Sequence, residues 1–341
     1  MPNHLDCNQL TFSLYPEPEK MFMYEQYYRD GEWQPGKIVP FHNIELSPAA
    51  NILNYGQGIF EGMKAYRSVK GHIVLFRPER NAARFVRSAQ KLAMAPVEEE
   101  RFLQAVKETV LANEAFIPED PEGRCSLYIR PVMIGTEPLL GVRPSKEYLF
   151  YVFTSPVGPY FPGVGVVRLV VLDVHRASPN GTGDAKAAAN YPGTMRPKVE
   201  AKKQGFDDVL YLDAVHNFYV EEAGAANFFA YMKNGTLVTP QLGSILPGIT
   251  RESIIQLAKD QLNIPVEERP VSIEEVVENA QECFLCGTGA TITAISEIGW
   301  KGTVHNVNHN NFQLAHQLFD LLSGIQLQKI EDPYGWVHIV K

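Results

Sequence analysis

The sequence predicts a mixed α/β protein built from two domains. Its 341 residues exceed the length of a usual single domain, about 100–200 residues. The first half alternates helical spacing of apolar residues with short β-branched and aromatic segments, whereas the second half holds many short strands and few helices. Between them, residues 155–163 contain three prolines and two glycines, which cannot continue a strand or helix. We therefore expect domains at residues 1–157 and 167–341, joined by an interdomain loop at 158–166.

The first half is predicted to contain two helices among three strands. Residues 73–76 read as a strand, and Arg77-Pro78-Glu79 then opens a helix that runs to about residue 92. Apolar residues at helical spacing predict a second helix over 98–113. Residues 125–132 and 147–154 are rich in β-branched and aromatic side chains, which is typical of strands.

The second half is predicted to be mostly β-structure. Its clearest helix covers residues 250–262 and begins just after Pro247-Gly248. Five short segments have strand character: residues 164–175, 209–213, 228–233, 236–238 and 282–286.

Composition and charge disfavour several classes of protein. With 45% hydrophobic and 21% charged residues, the chain has the composition of a globular protein rather than a disordered one. A net charge of −8 and the lack of a Lys/Arg-rich run disfavour nucleic-acid binding. The apolar runs at 148–153 and 164–172 are far shorter than the ~18 residues of a membrane span. The N-terminus lacks the pattern of a signal peptide, so we expect a cytoplasmic protein with no membrane partner.

The four cysteines are too few for a disulfide framework, which favours a reducing compartment. Cys283 and Cys286 have the C-x-x-C spacing of redox and zinc motifs. They lie in an apolar, strand-like segment without a second pair, so we interpret them as two buried thiols. His305 and His309 form the only close histidine pair, but their Asn-rich surroundings favour a polar loop over a metal site. We expect no metal.

Two glycine turns are candidate anion sites. Residues 246–251 (Leu-Pro-Gly-Ile-Thr-Arg) lead directly into a predicted helix, whose first N–H groups are available to bind an anion. Residues 287–291 (Gly-Thr-Gly-Ala-Thr) follow a strand and predict a similar nest. A third segment, residues 56–61, has glutamate where a dinucleotide fingerprint needs its third glycine, and we reject that interpretation. The two turns together indicate a phosphate or carboxylate site.

Lys186 stands among alanines in the glycine-led segment 181–191. One interpretation is an exposed lysine on an Ala-rich helix. The other is a nucleophile, because small neighbours allow a bulky planar ligand to approach the amine. A lysine nucleophile and two anion-binding turns are together what pyridoxal phosphate requires.

Five motifs, in order, extend this second interpretation. They are Phe60-Glu61-Gly62-Met63-Lys64-Ala65-Tyr66, Leu127-Tyr128-Ile129-Arg130-Pro131, the lysine segment 183–191, Glu222-x-Gly224-x-x-Asn227, and Leu246-Pro247-Gly248-Ile249-Thr250-Arg251. With these motifs the chain closely resembles the branched-chain amino acid aminotransferases, fold-type IV enzymes that use pyridoxal phosphate. The resemblance extends from about residue 41 to the C-terminus. It implies a small N-terminal α/β domain and a larger C-terminal pseudo-barrel domain.

The resemblance assigns the cofactor residues. Lys186 is the catalytic residue: it bonds to the cofactor aldehyde, and its freed amine moves the proton between the substrate Cα and the cofactor C4′. Glu222 faces the pyridine nitrogen, although Glu221 is an adjacent competitor. Arg84 matches the phosphate arginine, with Arg87 one turn away as its competitor. The remaining cofactor residues are Tyr191, which bonds the phenolic oxygen, and Ile249, Thr250, Gly287 and Thr288 around the phosphate.

The resemblance also assigns a substrate pocket that accepts leucine, isoleucine and valine. Tyr128 and Arg130 lie at i and i+2 of one predicted strand, so they share a face. There they would hold the second carboxylate of glutamate, because arginine offers a bidentate fork. The other pocket residues are Tyr55, Phe60, Val142 and Tyr160 as walls, and Gly289 and Ala290 at the α-carboxylate.

The segment at the α-carboxylate departs from the family pattern. The family has Gly-Thr-Ala-Ala where this chain has Gly287-Thr288-Gly289-Ala290, and Ala294 replaces a later proline. Some animal members carry a redox C-x-x-C two residues after the threonine. Ala290 and Thr293 occupy those positions here, so that redox switch is absent.

The function implied is reversible amino transfer from a branched-chain L-amino acid to 2-oxoglutarate, giving a 2-oxo acid and L-glutamate by a ping-pong mechanism. The family forms homodimers, and Tyr55 and Val142 are the expected cross-subunit contributors. Within the same fold, a D-amino acid aminotransferase or an aminodeoxychorismate lyase is the alternative. A non-catalytic phosphate-binding protein is a second alternative, which the presence of Lys186, Glu222 and Arg84 disfavours.

Overall fold

A computed structural model describes residues 5–159 and 165–341. The chain forms two compact units. Unit 1 comprises Met1–Tyr160, Ala185–Ala189 and Gly324–Lys341, and unit 2 comprises Phe161–Asp184 and Asn190–Ser323. Unit 1 therefore includes a short segment around Lys186 that comes from the second half of the sequence. The interdomain loop at 158–166 stays a prediction, because residues 160–164 lie outside the described ones.

The described residues form strands and α-helices that follow one another along the chain. The helices are α1 (Asn51–Tyr55), α2 (Pro78–Lys91), α3 (Glu99–Ala112), α4 (Pro192–Lys203), α5 (Ile249–Asp260), α6 (Ile273–Asn279) and α7 (Gln313–Gln326). The strands are β1 (Phe22–Arg29), β2 (Glu32–Trp33), β3 (Lys37–Pro40), β4 (Gly58–Phe60), β5 (Met63–Arg67), β6 (Ile73–Phe76), β7 (Ser126–Gly135), β8 (Tyr148–Val157), β9 (Gly165–Val170), β10 (Asp208–Leu212), β11 (Val220–Ala223), β12 (Ala226–Met232), β13 (Leu237–Thr239), β14 (Val266–Glu268), β15 (Ala280–Gly287), β16 (Thr291–Trp300), β17 (Thr303–Asn306) and β18 (Val337–Ile339).

Unit 1 is built on an antiparallel sheet. Its strand order is β18-β6-β5-β7-β8-β1-β2, with β3 paired to β1 and β4 paired to β7. Helices α2 and α3 pack on this sheet through Phe85, Phe102 and Phe150, whose ring centroids lie 5.1–6.1 Å apart. These three side chains are fully buried. The packing fixes α2, which carries Arg84, against the sheet that carries Phe60, Tyr128 and Arg130.

Unit 2 is built on a closed barrel. The strands run in the order β11-β10-β9-β16-β15-β12, and β12 pairs back onto β11. Six strands therefore form a ring, in which β9 is parallel to β10 and to β16 and the other pairs are antiparallel. Strands β13, β14 and β17 extend the sheet outside the ring. The mixed α/β fold with a C-terminal barrel is confirmed.

Most predicted elements are present with small shifts. The strand at 73–76 and helix α2 lie where the pattern indicates, whereas the strand predicted for 164–175 ends at Val170. The apolar spacing does not predict helix α4, because Pro197 interrupts its pattern. The nitrogen of Pro197 cannot donate a helical hydrogen bond. The helix nevertheless forms, with Pro197 and Ala201 buried.

The cysteines differ in part from the prediction. Cys283 and Cys286 are buried free thiols, as expected. Cys7 and Cys125, however, form a disulfide with a Cα–Cα distance of 5.9 Å. The sequence analysis, which expected too few cysteines for a disulfide framework, did not predict this single bond. A separation of 118 residues leaves no local signal for this pairing in the sequence.

Two further features concern metals and membranes. Among the described residues, the only group of three potential metal-binding side chains is Cys7, Asp120 and Cys125, which contains the disulfide. His305 lies on β17 and His309 follows that strand, so the two are not helical neighbours. In the described part of the chain, no helix has the length and apolar character needed to cross a membrane.

Candidate active site

The Lys186 segment belongs to unit 1, where it lies between a turn and a short 3-10 helix. The Lys186 carbonyl accepts a hydrogen bond from the Phe60 N–H at 3.1 Å, and its own N–H donates to Ser88 Oγ at 3.0 Å. Ala187 bridges to Ile59 on β4. Because the backbone at Lys186 bonds to β4 and α2, the interpretation as a lysine on an Ala-rich helix is wrong. Only a short 3-10 turn, Ala188–Asn190, follows it.

Lys186 lies beside three of the predicted pocket residues. Its Nζ atom is 4.9 Å from the ring centroid of Phe60, and the Arg130 guanidinium carbon is 4.8 Å from the same centroid. Arg130 Nη2 donates to the Tyr128 hydroxyl at 3.2 Å. Contacts of cations with an aromatic ring are attractive because the ring face carries negative charge. Lys186, Phe60, Tyr128 and Arg130 therefore form one cluster in unit 1.

Arg84 makes a buried ion pair that the sequence analysis missed. Its Nε and Nη2 atoms donate to the two carboxylate oxygens of Glu61 at 2.7 and 2.8 Å, and Asn81 donates to the same carboxylate at 2.8 Å. Burial opposes ionisation of Glu61, but Arg84, Lys186 and Asn81 together outweigh it, Arg84 most strongly, so the pKa of Glu61 is lowered. The sequence holds one indication of this pair, because Glu61 belongs to the motif 60–66. Its partner Arg84 lies 23 residues away.

Lys64 is a second lysine near Tyr128. It lies on β5 directly opposite Tyr128 on β7. Burial lowers the pKa of Lys64 to about 8, because a low-dielectric environment disfavours the charged form.

The predicted wall residues Tyr55 and Val142 lie together on the surface of unit 1. The Tyr55 hydroxyl accepts a hydrogen bond from the Gly141 N–H at 2.7 Å. Val142 is 90% exposed and Leu140 is 88% exposed. The helix α1 and the loop that carries Leu140 and Val142 thus present apolar side chains to the outside. Tyr160, the third wall residue, lies outside the described residues.

In unit 2, Glu222 lies on the β11–β12 hairpin. Its backbone pairs with Asn227, and Gly224 turns the chain with φ of 54°. Glu222 forms an ion pair with Arg176, and the two side chains are only 3% and 4% exposed. The adjacent Glu221 side chain instead accepts from Ser244, and burial raises its pKa.

Asn227 connects this hairpin to the start of helix α5. Its Nδ2 atom donates to the Leu246 carbonyl at 3.0 Å. Gly248 lies so close that a Cβ atom there would be 2.0 Å from Asn227 Oδ1. Helix α5 begins at Ile249, followed by Thr250. Its N-cap residue is Gly248, which has no side chain to cap this end of the helix. Its first N–H groups have the arrangement that binds an anion.

The remaining cofactor and carboxylate residues lie at two other turns of unit 2. Tyr191 immediately precedes helix α4, and its carbonyl accepts from the Thr194 N–H at 3.0 Å. Gly287 ends β15, and the three residues after it form the turn into β16. Thr291 closes the turn with φ of 59°, a strained value for a β-branched residue. The turn residues are Thr288, Gly289 and Ala290.

The Ala294 departure is consistent with its strand. Ala294 lies within β16, where it pairs with Phe284 on one side and Val166 on the other. It is fully buried. A central strand position of this kind suits a residue that keeps its N–H donor, which proline lacks.

The chain resembles known proteins over nearly its whole length. Residues 58–298 match the family model described as amino-transferase class IV. The chloroplastic branched-chain-amino-acid aminotransferase 5 of Arabidopsis thaliana is 43% identical over 97% of this chain and 79% of its own length. The branched-chain-amino-acid aminotransferase of Helicobacter pylori is 41% identical over 99% of both chains.

Solved structures agree with the sequence relatives. The Escherichia coli branched-chain amino acid aminotransferase superposes with a TM-score of 0.78 at 28% identity, over 93% of this chain and 99% of that one. The branched-chain aminotransferase of Thermoproteus uzoniensis, solved with norvaline, has a TM-score of 0.76 at 30% identity, over 93% and 99% of the two chains. The matches in sequence and in fold name the same family. The chain therefore belongs to the class IV aminotransferases and, within them, to the branched-chain-amino-acid aminotransferases.

Proposed function

We propose that this protein transfers the amino group of leucine, isoleucine or valine to 2-oxoglutarate, with pyridoxal phosphate as its cofactor. The observation that carries the proposal is the position of Lys186, fixed by Phe60 and Ser88 beside the Tyr128–Arg130 pair. Membership of the branched-chain family supports the choice of substrate. The alternatives in the same fold, a D-amino acid aminotransferase or an aminodeoxychorismate lyase, are not favoured by these relatives.

The residues present fit pyridoxal phosphate. Lys186 offers an amine, Glu222 a buried carboxylate, and the start of α5 a helix end without a side-chain cap for a phosphate. When bound, pyridoxal phosphate supplies the electron sink that accepts the charge left on the substrate Cα. A structural relative solved with a phosphopyridoxyl adduct of L-glutamate supports this choice.

Each cofactor residue has a separate task. Ile249, Thr250, Thr288 and Arg84 would hold the phosphate, and Gly287 would let the chain approach it. Tyr191 would donate to the phenolic oxygen. Glu222 would keep a proton on the ring nitrogen, because a buried carboxylate favours a cation beside it. The Glu61–Arg84 pair holds the arginine side chain in one orientation before any phosphate arrives.

Lys186 is the residue that moves a proton. Once the substrate amine has replaced it, its free Nζ can take the proton from the substrate Cα and later return one. The Ser88 and Phe60 bonds hold its backbone, so the side chain alone has to move. A base fixed by its backbone keeps the geometry that proton transfer needs.

The pocket residues explain how one site would accept two unlike substrates. Phe60 and Tyr55 give an apolar wall for a branched side chain, with Val142 and Tyr160 beside them. Arg130 and Tyr128 would bind the second carboxylate of glutamate, since an arginine paired with a hydroxyl is already oriented. Backbone amides at Gly289 and Ala290 would hold the α-carboxylate.

We also propose a homodimer, in which Tyr55 and Val142 reach the pocket of the partner. The exposed apolar side chains of unit 1, Leu53, Leu140 and Val142, support this, because such residues are usually covered. Val142→Glu should convert a dimer into a monomer in light scattering. Val304→Glu, at an exposed position of unit 2, is the matched control and should stay dimeric. A monomeric wild type would contradict the proposal.

We place the protein in the cytoplasm. The two buried free thiols, Cys283 and Cys286, support a reducing compartment. The Cys7–Cys125 disulfide, by contrast, favours an oxidising compartment. Fractionation of cells that express the protein from its own gene decides between the two, and recovery in an oxidising compartment would contradict the placement.

The transaminase activity itself is tested by product formation. L-Leucine and 2-oxoglutarate should give L-glutamate, while D-alanine and aminodeoxychorismate should not serve as substrates. Lys186→Ala should abolish the reaction, and Lys70→Ala, in an exposed turn of unit 1, should not change it. Activity with D-alanine but not with leucine would replace the proposed function by one of the alternatives.

A further inference from the structure

The Arg176–Glu222 pair connects two points of one hairpin. Arg176 forms an ion pair with Glu222 on β11, and its Nε atom donates to the carbonyl of Gly224 at 3.2 Å. Gly224 is the turn residue of the same hairpin, with φ of 54°. One guanidinium thus holds both a side chain and the turn that follows it, which fixes the position of the Glu222 carboxylate.

The burial of this pair gives it a large energetic role. Both side chains are almost fully buried, and removing one partner of such a pair leaves an uncompensated charge in the interior. Contact with a guanidinium favours the ionised form of a carboxylate. The neighbouring Glu221 bonds to the Ser244 hydroxyl, and burial raises its pKa. Of the two adjacent carboxylates, Glu222 is therefore the one in a buried ion pair with Arg176.

We propose that Arg176 is a positioning residue, which holds Glu222 ionised and aimed at the ring nitrogen of pyridoxal phosphate. The inference rests on the proposed function. A carboxylate keeps the proton on a neighbouring nitrogen only while its own affinity for that proton stays low. Arg176 lowers that affinity by direct contact, so it acts through Glu222 without touching the cofactor.

The same hairpin connects Glu222 to the start of helix α5, the proposed phosphate-binding site. Asn227 pairs with Glu222 across the hairpin and bonds to the Leu246 carbonyl just before α5. Displacement of Glu222 would therefore strain the segment that leads to the phosphate-binding helix end. Loss of Arg176 is expected to weaken cofactor binding as well as to slow the chemistry.

The test compares Arg176→Gln, Glu222→Gln and the double variant. Apo-protein is titrated with pyridoxal phosphate to obtain its Kd, and single-turnover bleaching of the visible band by L-leucine gives a maximal rate and a half-saturating concentration. We expect each single variant to raise the Kd and lower the maximal rate by about tenfold or more, with the half-saturating leucine concentration within about twofold. The double variant should be no worse than either single one, because both remove the same unit.

Two further variants complete the design. Arg168→Gln removes a partly exposed arginine that pairs with Glu297 in the same unit, and it should behave as wild type. Arg176→Lys keeps the positive charge but loses the guanidinium that reaches both Glu222 and Gly224, so its Kd and rate should lie between those of wild type and Glu222→Gln. If Arg176→Gln does not fold, this lysine variant decides, and wild-type Kd and rate in it overturn the proposal.

Two further results would overturn the role of Arg176. Wild-type Kd and rate in Arg176→Gln, with Glu222→Gln impaired, would overturn the role of Arg176, as would losses that multiply in the double variant. Wild-type protein that develops no visible band with pyridoxal phosphate would instead refute the proposed function.

Discussion

Glu61 and Arg84 form a bidentate ion pair inside unit 1, with Nε–Oε1 and Nη2–Oε2 distances of 2.7 and 2.8 Å. The Glu61 side chain is fully buried and that of Arg84 is 5% exposed. Through this pair the strand end that carries Phe60 is joined to helix α2, which also supplies Ser88 to the Lys186 backbone. The pair thus belongs to the framework that fixes the lysine.

Glu61→Gln should lower the free energy of unfolding by about 3–5 kcal/mol, because it leaves the Arg84 charge buried without its carboxylate. Urea unfolding monitored by circular dichroism measures the change. Glu17→Gln is the control: it breaks an exposed pair with Lys20 and should leave the free energy of unfolding nearly unchanged. Equal effects of the two substitutions would contradict the structural role of Glu61.

The same pair predicts a pH dependence with a defined sign. The pKa of Glu61 is lowered from its ordinary value of 4.5, so the unfolded chain binds the proton more readily than the folded one. The stabilisation is fully present above pH 4.5 and is lost as the pH falls through the folded-state pKa. The stability difference between wild type and Glu61→Gln should therefore shrink in acid. A difference that stays constant from neutral pH down to acid denaturation would exclude this linkage.

Gly248→Ala tests the close packing at the start of α5. The new methyl group would meet Asn227 Oδ1 at 2.0 Å, while the backbone φ of −70° suits any residue. The clash should cost about 1–3 kcal/mol of stability and raise the Kd for pyridoxal phosphate. Gly193→Ala in helix α4 meets no atom within 4 Å and should be neutral or slightly stabilising. Thermal unfolding and cofactor titration distinguish the two, and identical behaviour would refute the packing argument.

How much of this can be predicted from the sequence depends on the range of each interaction. Helix α2 and strand β6 follow from the sequence because their apolar spacing is local. The motif singles out Lys186, but its backbone position depends on bonds to β4 and to Ser88, the latter 98 residues away in sequence. Nothing in the local sequence distinguishes Arg176, because its role depends on contacts with Glu222 and Gly224 that form only in the folded barrel.

The disulfide predicts a defined thiol count. Alkylation of unfolded, unreduced protein should label two cysteines, Cys283 and Cys286, and reduction should expose two more. In the native state neither free thiol should react, because both are buried and burial raises their pKa values. Mass spectrometry reads the labels, and Cys7→Ser should show three before reduction. Four labels in unreduced wild type would show that Cys7 and Cys125 are not bonded.

The central claim is that Lys186 binds pyridoxal phosphate and that the bound cofactor exchanges amino groups with branched-chain amino acids. The visible absorption spectrum of the purified protein tests it most directly. We predict an absorption band that bleaches on addition of L-leucine and returns with 2-oxoglutarate, and that is missing in Lys186→Ala. A band that is indifferent to leucine would contradict the substrate, and a colourless protein after incubation with pyridoxal phosphate would contradict the mechanism.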